Sequence, residues 1–373
     1  LMLTLNIQNL YDQTKNSDSA KQVDENGYYI ITKQTELNSH TILNEIAVGG
    51  FGKLYMALWQ KQKVALKVSR PQIAHVNQMK KELFHHQQIQ KAYPDMTVAV
   101  LDSFEHENLF CFSMELYDLN LSSQRKLTQG AGFSLPTIRR MTRKFATWLI
   151  NLESLNLIHS DIKPQNMVLI ENDLNTLKLI DFGSVITSEE LAQQDFVGTL
   201  FYRPPEVNLE LQFDSKVDAW SIGVILLEMH IFNYAFPAKS PQTLLKLQIS
   251  MMGMPPKQMV MVDGEIRQQV RKFFQLPTEE HWNKYSEQLT MIGLQKDSYA
   301  YLTEECIKSE QHMNKYNKKL NLMMVNRHWI QKNGNNEKDY EQFFELLQNV
   351  ITWDKDKRWS GKQIMESRFC QCE

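Results

Sequence analysis

The sequence has 373 residues, and its 41 Lys and Arg nearly balance its 43 Asp and Glu, so the length suits one two-lobed domain or two ordinary domains. A hydrophobic content of 42% excludes wholesale disorder, and a net charge of −2 gives no reason to expect nucleic acid or a membrane surface as a partner. Four cysteines without a disulfide framework, no apolar run near the ~18 residues that span a bilayer, and no signal segment predict an intracellular protein, cytoplasmic or nuclear.

The first 37 residues are polar apart from a short β-like run at 28–32, and we interpret residues 1–37 as an N-terminal extension. The chain starts at Leu1 rather than Met, so we expect further residues upstream. Residues 41–48, 53–58 and 63–68 have strand-like patterns, residues 75–91 follow a helical spacing, and residues 98–104 and 109–115 predict two more strands. The pattern predicts a small unit of five strands and one helix.

Helical patterns dominate after this unit. Residues 134–155, 216–230, 241–252 and 338–351 predict long helices. A small β-rich part followed by a larger helical part predicts an α+β chain with its junction near residues 116–121. The chain ends in Cys370-Gln371-Cys372, which is compatible with a short tail or with a metal site.

A glycine-rich turn, Ala47-Val48-Gly49-Gly50-Phe51-Gly52, separates the first two predicted strands. Because glycine has no Cβ, such a turn lets backbone amides approach phosphates closely, although it is also compatible with an ordinary hairpin. Lys67 is the next-to-last residue of the third predicted strand, and Glu82 follows in the predicted helix. These two residues could form an ion pair; the alternatives are a solvated lysine and a surface glutamate in a helical i,i+4 pair.

Residues 157–183 carry the most informative stretch of the chain. Asp161, Lys163 and Asn166 stand close together, and Asp181 follows on a turn that ends at Gly183. Phosphoryl transfer from a nucleotide needs a carboxylate to accept the proton of the attacking hydroxyl, a cation beside the moving phosphoryl group, and hard oxygen ligands for magnesium. This set of residue types predicts phosphoryl-transfer chemistry.

The stretch resembles the catalytic loop and metal-binding motif of the eukaryotic protein kinases, in their serine/threonine branch. Closest in motif is the CMGC group of cyclin-dependent, MAP and dual-specificity-like kinases, because of Phe196-Val197-Gly198-Thr199-Leu200-Phe201-Tyr202-Arg203-Pro204-Pro205-Glu206. The resemblance implies a two-lobed kinase domain over residues 38–369. Its small antiparallel β-sheet lobe with one main helix would cover about 38–116, and its larger, mainly helical lobe about 117–369. An insert would lie within 262–336, followed by a tail at 370–373.

The resemblance also implies roles for individual residues. Asp161 would be the catalytic base, Lys163 would steady the γ-phosphoryl group, and Thr199 would hydrogen-bond toward both. Asn166 and Asp181 would hold magnesium. The residues expected to bind ATP are Ala47, Val48, Gly49, Gly50, Phe51, Gly52, Leu54, Ala65, Lys67, Glu82, Met114, Glu115, Tyr117 and Val168.

Structural pairs follow from the same resemblance. Glu206 is expected to pair with Arg358, and Asp218 to cap the backbone of the catalytic loop. His159 is expected to pack against Phe182 rather than to act as an acid or base.

Two positions depart from the family pattern. Ala47 stands where the first glycine of the loop is expected, and Ser160 makes the motif His-Ser-Asp where most members have His-Arg-Asp. The missing arginine commonly pairs with a phosphate on the activation segment. We therefore do not expect phosphorylation to order the segment by that route.

The leading hypothesis is an ATP- and magnesium-dependent serine/threonine protein kinase that acts on protein hydroxyls. One alternative is a pseudokinase that serves as a nucleotide-binding or scaffolding module, and another is a small-molecule kinase. The presence of every expected catalytic residue argues against a pseudokinase. The peptide-docking segment after Thr199 argues against a small-molecule kinase. The expected partners are a protein substrate bearing Ser or Thr and a regulatory protein at the Glu82 helix or the N-terminal extension.

Overall fold

A computed structural model of the protein describes residues 23–117, 119–127, 132–171, 173–191, 197–309 and 337–372. Residues 1–22 of the predicted extension, 310–336 of the predicted insert, and Glu373 of the predicted tail lie outside the described residues. The chain forms two compact units, with the boundary between Leu116 and Tyr117.

The first unit is a six-stranded antiparallel sheet with strand order β1-β2-β3-β4-β6-β5. Its strands are β1 (Glu36–Leu37), β2 (His40–Val48), β3 (Gly52–Trp59), β4 (Gln62–Ser69), β5 (Val100–His106) and β6 (Leu109–Glu115). Helix α1 (Ile73–Ala92) connects β4 to β5. The sequence does not predict β1, because its turn into β2 depends on positive φ angles at Asn38 and Ser39, which neither residue type requires.

The two faces of this sheet carry different sets of side chains. One face carries a buried apolar cluster: Leu37, Ile42, Tyr55, Ala57, Val64, Leu66, Val68, Leu109 and Cys111. Leu54 is opposite Lys67, and Ala65 is opposite Met114. Because alternate residues of a strand share a face, these four side chains lie on the face opposite the cluster. The sheet thus brings four predicted ATP-binding residues to one side.

The second unit, which begins at Tyr117, is mainly helical. Its longer helices are α3 (Leu135–Ser154), α5 (Lys216–Ile231), α6 (Pro241–Met252), α8 (Glu279–Met291) and α10 (Glu337–Val350). Its shorter helices are α2 (Leu121–Leu127), α4 (Pro205–Asn208), α7 (Lys257–Val260), α9 (Glu304–Lys308), α11 (Gly361–Glu366) and α12 (Arg368–Gln371). In the part of the chain that the structure describes, no helix is long and apolar enough to cross a membrane.

Small sheets complete the second unit. A three-stranded sheet contains β7 (Leu119–Asn120), β9 (Met167–Ile170) and β10 (Asp173–Leu179). The two-stranded pairs are β8 (Leu157–Ile158) with β11 (Ile186–Thr187), β12 (Met261–Val262) with β13 (Glu265–Ile266), and β14 (Phe274–Gln275) with β15 (Tyr301–Leu302).

Helix α5 forms the centre of the second unit. Every residue from Val217 to His230 is buried, as expected for a helix that is apolar on all sides. A Cβ added at Gly223 would lie 2.6 Å from Cγ1 of Val350, so glycine is what lets α5 approach α10 this closely.

A buried ion pair ties α4 to the segment before α11, as the sequence predicts. Arg358 donates from NH1 to Oε1 of Glu206 at 2.6 Å and from NH2 to Oε2 at 2.9 Å. The two side chains are 0% and 2% exposed. Arg358 also donates to the carbonyls of Lys216 and Thr352. The charge is therefore desolvated but well paired, the case in which losing one partner is costly.

We expect Arg358→Ala and Glu206→Ala each to lower the free energy of unfolding by about 3–5 kcal/mol, since each leaves an uncompensated buried charge. The double variant should cost less than the sum of the two. Urea denaturation measures all three values. Arg368→Ala is the control: Arg368 pairs with Glu345 but is 74% exposed, so its loss should cost less than about 1 kcal/mol. Strictly additive losses at Arg358 and Glu206 would contradict this account.

Candidate active site

The catalytic loop follows β8 and is held by a carboxylate from α5. Asp218 accepts the backbone N–H of His159 at Oδ2 (2.7 Å) and that of Ser160 at Oδ1 (2.9 Å), which confirms the predicted cap. Burial raises the pKa of Asp218 to about 7, although the two N–H donors act in the opposite direction. Ser160 has a φ of 64°, a conformation that costs on the order of 1–3 kcal/mol in a residue other than glycine. The Asp218 contacts hold the loop in this shape.

The three predicted catalytic side chains form one hydrogen-bonded group. Asp161 accepts at Oδ1 from the backbone N–H of Thr199 (2.8 Å) and from its hydroxyl (2.7 Å). Lys163 donates from Nζ to Oδ2 of Asp161 at 2.5 Å and to Oγ1 of Thr199 at 3.2 Å. The side chains of Asp161 and Lys163 are 14% and 22% exposed. The group is therefore preorganised and still accessible.

The two predicted magnesium ligands are linked to this loop through the backbone. Asn166 donates from Nδ2 to the carbonyl of Asp161 at 3.1 Å, which leaves its amide oxygen as the atom suited to a metal. Its own carbonyl accepts the N–H of Ile180 at 2.9 Å, which places the next residue, Asp181, near the loop. Asp181 has a φ of 66°, so its backbone is also in the left-handed region. An amide oxygen and a carboxylate are hard ligands that fit magnesium.

His159 is a packing residue of the loop. Its ring lies 5.4 Å from the ring of Phe182, as the sequence predicts, and it is fully buried. The backbone N–H of Asp161 points at its Nδ1 (3.3 Å), so Nδ1 is the acceptor and Nε2 carries the proton toward the carbonyl of Ile180 (3.4 Å). Burial lowers the pKa of His159. A neutral, enclosed imidazole is poorly suited to acid–base catalysis.

The activation segment is tied to the unit on both sides of residues 192–196, which lie outside the described residues. Before this stretch, Ser160 donates from Oγ to the carbonyl of Ser184 at 2.6 Å, and β11 pairs with β8. After it, Arg203 donates to the carbonyl of Gly198, and Gln248 on α6 donates to the carbonyl of Arg203.

The end of the segment also reaches α5. Tyr202 donates its hydroxyl to Oε2 of Glu228 at 3.1 Å. The other carboxylate oxygen of Glu228 accepts the N–H of Ala235 at 2.9 Å. Sequence reasoning missed this contact, because nothing in the motif around Tyr202 indicates a buried partner 26 residues away.

In the first unit, the predicted ion pair is present. Lys67 on β4 donates from Nζ to Oε1 of Glu82 on α1 at 2.5 Å. The Glu82 side chain is 3% exposed and that of Lys67 19%. The alternatives of a solvated lysine and a surface glutamate are therefore wrong. The ammonium group is fixed by a buried carboxylate while part of its surface stays accessible.

The glycine-rich loop connects β2 to β3. A Cβ added at Gly52 would lie 2.1 Å from the carbonyl oxygen of Val68, so only glycine fits there. A Cβ at Gly50 would have no atom within 4 Å. Val48 and Phe51 are exposed. The tip of the loop therefore presents open backbone and apolar side chains.

The other predicted ATP-binding residues divide between the two units. Glu115 ends β6, and its backbone N–H donates to the carbonyl of Ala99. Its own carbonyl is therefore the backbone group that we predict to face the adenine ring of ATP. Tyr117 and Val168 belong to the second unit. Their roles in nucleotide binding stay predictions.

Comparison with known proteins places the chain in a family. A family model described as "Protein kinase domain" matches residues 40–370. The chain is 31% identical over 255 residues to dual specificity tyrosine-phosphorylation-regulated kinase 2 of Drosophila melanogaster, with coverage of 67% of this chain and 35% of that protein. It is 32% identical over 239 residues to human dual specificity tyrosine-phosphorylation-regulated kinase 4, with coverage of 62% and 46%.

A third relative is a probable dual specificity protein kinase, a YAK1 homolog of Encephalitozoon cuniculi, which is 29% identical over 215 residues. The match covers 57% of this chain and 52% of that protein. The chain thus spans about a third to a half of the length of the curated relatives that it matches.

The Glu228 contact predicts a pH dependence of stability. Burial raises the pKa of Glu228 to about 7, although the N–H of Ala235, the hydroxyl of Tyr202 and the charge of Arg125 lower it. A carboxyl with a higher pKa in the folded state contributes stability that is full below its unfolded pKa and is lost as the pH rises through the folded value. As the pH rises from about 5 to about 8, we expect the free energy of unfolding to fall in the wild type by on the order of 2 kcal/mol more than in Glu228→Gln.

Thermal unfolding at several pH values measures this difference. Glu287→Gln is the control, because it makes the same chemical change at an exposed position on α8. The same pH dependence in the wild type and in Glu228→Gln would show that Glu228 does not titrate in this range.

Proposed function

The chain belongs to the protein kinase domain family, and from this premise we propose that it is an active serine/threonine protein kinase. It transfers the γ-phosphoryl group of ATP to hydroxyl groups of protein side chains. One observation carries the proposal: Asp161, Lys163 and Thr199 form a connected, accessible hydrogen-bonded group. An accessible carboxylate beside a fixed ammonium group serves phosphoryl transfer, whereas a purely structural role would not require these side chains to be accessible.

Asp161 acts as the proton acceptor in this proposal. Its carboxylate orients the substrate hydroxyl and takes its proton during the attack, a role for which its position beside Lys163 and Thr199 is suited. Lys163 places a positive charge next to the transferred group, where negative charge must be stabilised. Thr199 holds the segment against the catalytic loop through Asp161.

ATP and magnesium are the proposed cofactors. Lys67, held by Glu82, would bind phosphate oxygens, and the glycine-rich loop would offer backbone amides to them. Asn166 and Asp181 would hold magnesium through oxygen atoms. Bound magnesium neutralises phosphate charge and orients the γ-phosphoryl group.

The contacts disfavour a pseudokinase. The two lysines, the glutamate, the two aspartates and the asparagine that the chemistry needs are all present, and the ion pairs Lys67–Glu82 and Lys163–Asp161 are both formed. A scaffold that only binds would not need Asp161 and Lys163 to stay accessible. The docked segment after Thr199 supports a protein substrate rather than a small molecule.

The proposed partners are proteins that bear Ser or Thr, in the cytoplasm or nucleus. The two dual specificity tyrosine-phosphorylation-regulated kinases that the chain resembles carry dual specificity in their names. For this chain, transfer to tyrosine is a further proposal that an assay with a tyrosine peptide would test. Since the Lys67–Glu82 pair is formed by this chain alone, we favour regulation through the N-terminal extension over a partner at α1.

We expect Asp161→Asn to lower kcat by about 10²–10⁴ while the fold persists, because the amide keeps an oxygen for Thr199 but cannot accept a proton. Asp181→Asn should lower kcat strongly by weakening the magnesium site. Labelled ATP, magnesium and a generic basic protein provide the assay. Asp297→Asn, the same change at an exposed position, is the control. Near-normal transfer by both active-site variants would eliminate the enzyme proposal.

Lys67→Met and Glu82→Gln should both raise the KM for ATP, because each removes half of the pair that positions the phosphates. Their combined effect should be well below the sum of the separate effects in free energy, since the two side chains act as one unit. Steady-state kinetics with varied ATP measures this. A variant of Lys67 that turns over normally would undo the assignment.

A further inference from the structure

The described start of the extension forms a small turn, residues 23–29, which we call the N-terminal clasp. Its backbone is closed by bonds from the N–H of Asp24 to the carbonyl of Tyr28 (2.8 Å) and from that of Gly27 to the carbonyl of Asp24 (2.9 Å). The Asp24 carboxylate accepts the N–H groups of Asn26 and Tyr28, each at 3.0 Å. An aspartate that bonds its own following backbone stabilises a turn locally. The clasp is therefore a turn stabilised by its own backbone and side-chain hydrogen bonds.

The clasp is attached to the glycine-rich loop. Tyr28 donates its hydroxyl to the carbonyl of Gly49 at 2.8 Å. Its ring, which is 9% exposed, has the guanidinium of Arg70 at 4.0 Å and the ammonium of Lys53 at 5.1 Å from its centroid. Lys53 also pairs with Asp24 at 3.4 Å. Cation–π contacts and an ion pair thus fix the ring whose hydroxyl reaches the loop.

The bond to Gly49 restrains the most permissive part of the loop. Glycine loses more backbone freedom on ordering than any other residue, and a Cβ at Gly50 would contact nothing within 4 Å. Two backbone hydrogen bonds also steady the loop: the N–H of Gly49 donates to the carbonyl of Gly52, and the N–H of Arg70 donates to the carbonyl of Phe51. Tyr28 adds an anchor at the Gly49 carbonyl.

The geometry of the peptide bond gives this anchor a direction. The carbonyl of Gly49 and the N–H of Gly50 belong to one planar trans peptide, so they point to opposite sides. When Tyr28 holds the carbonyl, the N–H of Gly50 points away from the clasp. A backbone N–H held in this way is a donor for a phosphate oxygen.

We propose that Tyr28 is a positioning residue for nucleotide binding: its hydroxyl holds the Gly49–Gly50 peptide so that the loop is preorganised for the phosphates of ATP. This inference rests on the proposed function for the identity of the ligand. It gives the N-terminal extension a defined task, which is to set the conformation of the loop before ATP arrives. Preorganisation improves affinity because less conformational freedom is lost on binding.

Tyr28→Phe removes the hydroxyl and keeps the ring between Arg70 and Lys53, so the clasp should stay folded. We expect the Kd and KM for ATP to rise about 2- to 12-fold, the range for one lost hydrogen bond, with kcat nearly unchanged. In nucleotide-free protein, amide hydrogen exchange over residues 48–52 should become faster. Calorimetry with ATP and magnesium, steady-state kinetics and exchange mass spectrometry give the three readouts.

Tyr29→Phe is the matched control. Its hydroxyl donates to Oε2 of Glu107 at 2.9 Å, in the turn between β5 and β6, so the same atom is removed from the adjacent residue. This variant should leave ATP affinity and loop exchange unchanged. Equal effects in both variants would overturn the proposal, because they would indicate a general loosening of the first unit.

The outcomes separate the two levels of inference. If the wild type binds ATP and Tyr28→Phe binds it equally well, with unchanged loop exchange, only the positioning role of Tyr28 is wrong. If the wild type binds no ATP, the proposed function falls and the positioning role falls with it. Weaker ATP binding together with faster loop exchange in Tyr28→Phe alone supports the proposal.

Discussion

The contacts of the catalytic loop depend on one buried carboxylate. Asp218 accepts the N–H groups of His159 and Ser160, and it thereby holds Ser160 at a positive φ. That conformation places Asp161 where Thr199 and Lys163 can reach it. Because Asp218 projects from α5, whose residues 217–230 are all buried, the catalytic loop is anchored to the core of the second unit. Burying the Asp218 carboxylate is electrostatically unfavourable, and its two hydrogen bonds to the loop backbone offset part of this cost.

The same loop explains how the activation segment can be held without a phosphate. An arginine at the position of Ser160 would place an unpaired charge beside the segment, which a phosphate would neutralise. Ser160 instead bonds the carbonyl of Ser184 directly, and Thr199 bonds Asp161. The segment is thus attached on both sides of residues 192–196 by hydrogen bonds that need no added charge. Regulation then falls to other elements, among which the N-terminal clasp contacts the glycine-rich loop.

Sequence alone predicted the contacts that are encoded by motif and spacing. The pairs Lys67–Glu82 and Glu206–Arg358 belong to this class. Helices α1, α3, α5, α6 and α10 were predicted to within a residue or two at their ends, because their apolar pattern continues up to the turn residues. Helix α8 was not predicted. The bond between Tyr28 and Gly49 was not predicted, since it joins a locally formed turn to a distant loop. The buried Tyr202–Glu228 contact was missed for the same reason. Such contacts depend on how packed elements approach each other, which residue spacing does not specify.

The most direct test of this account is phosphoryl transfer by the chain when it carries no phosphate. The protein is treated with phosphatase, its mass is checked, and the initial rate is measured with labelled ATP, magnesium and a generic basic protein. The account predicts a rate close to that of the untreated protein, because Ser160 and Thr199 already hold the segment. A large loss of rate after dephosphorylation, traced to Ser184, Thr187, Ser188 or Thr199, would contradict it.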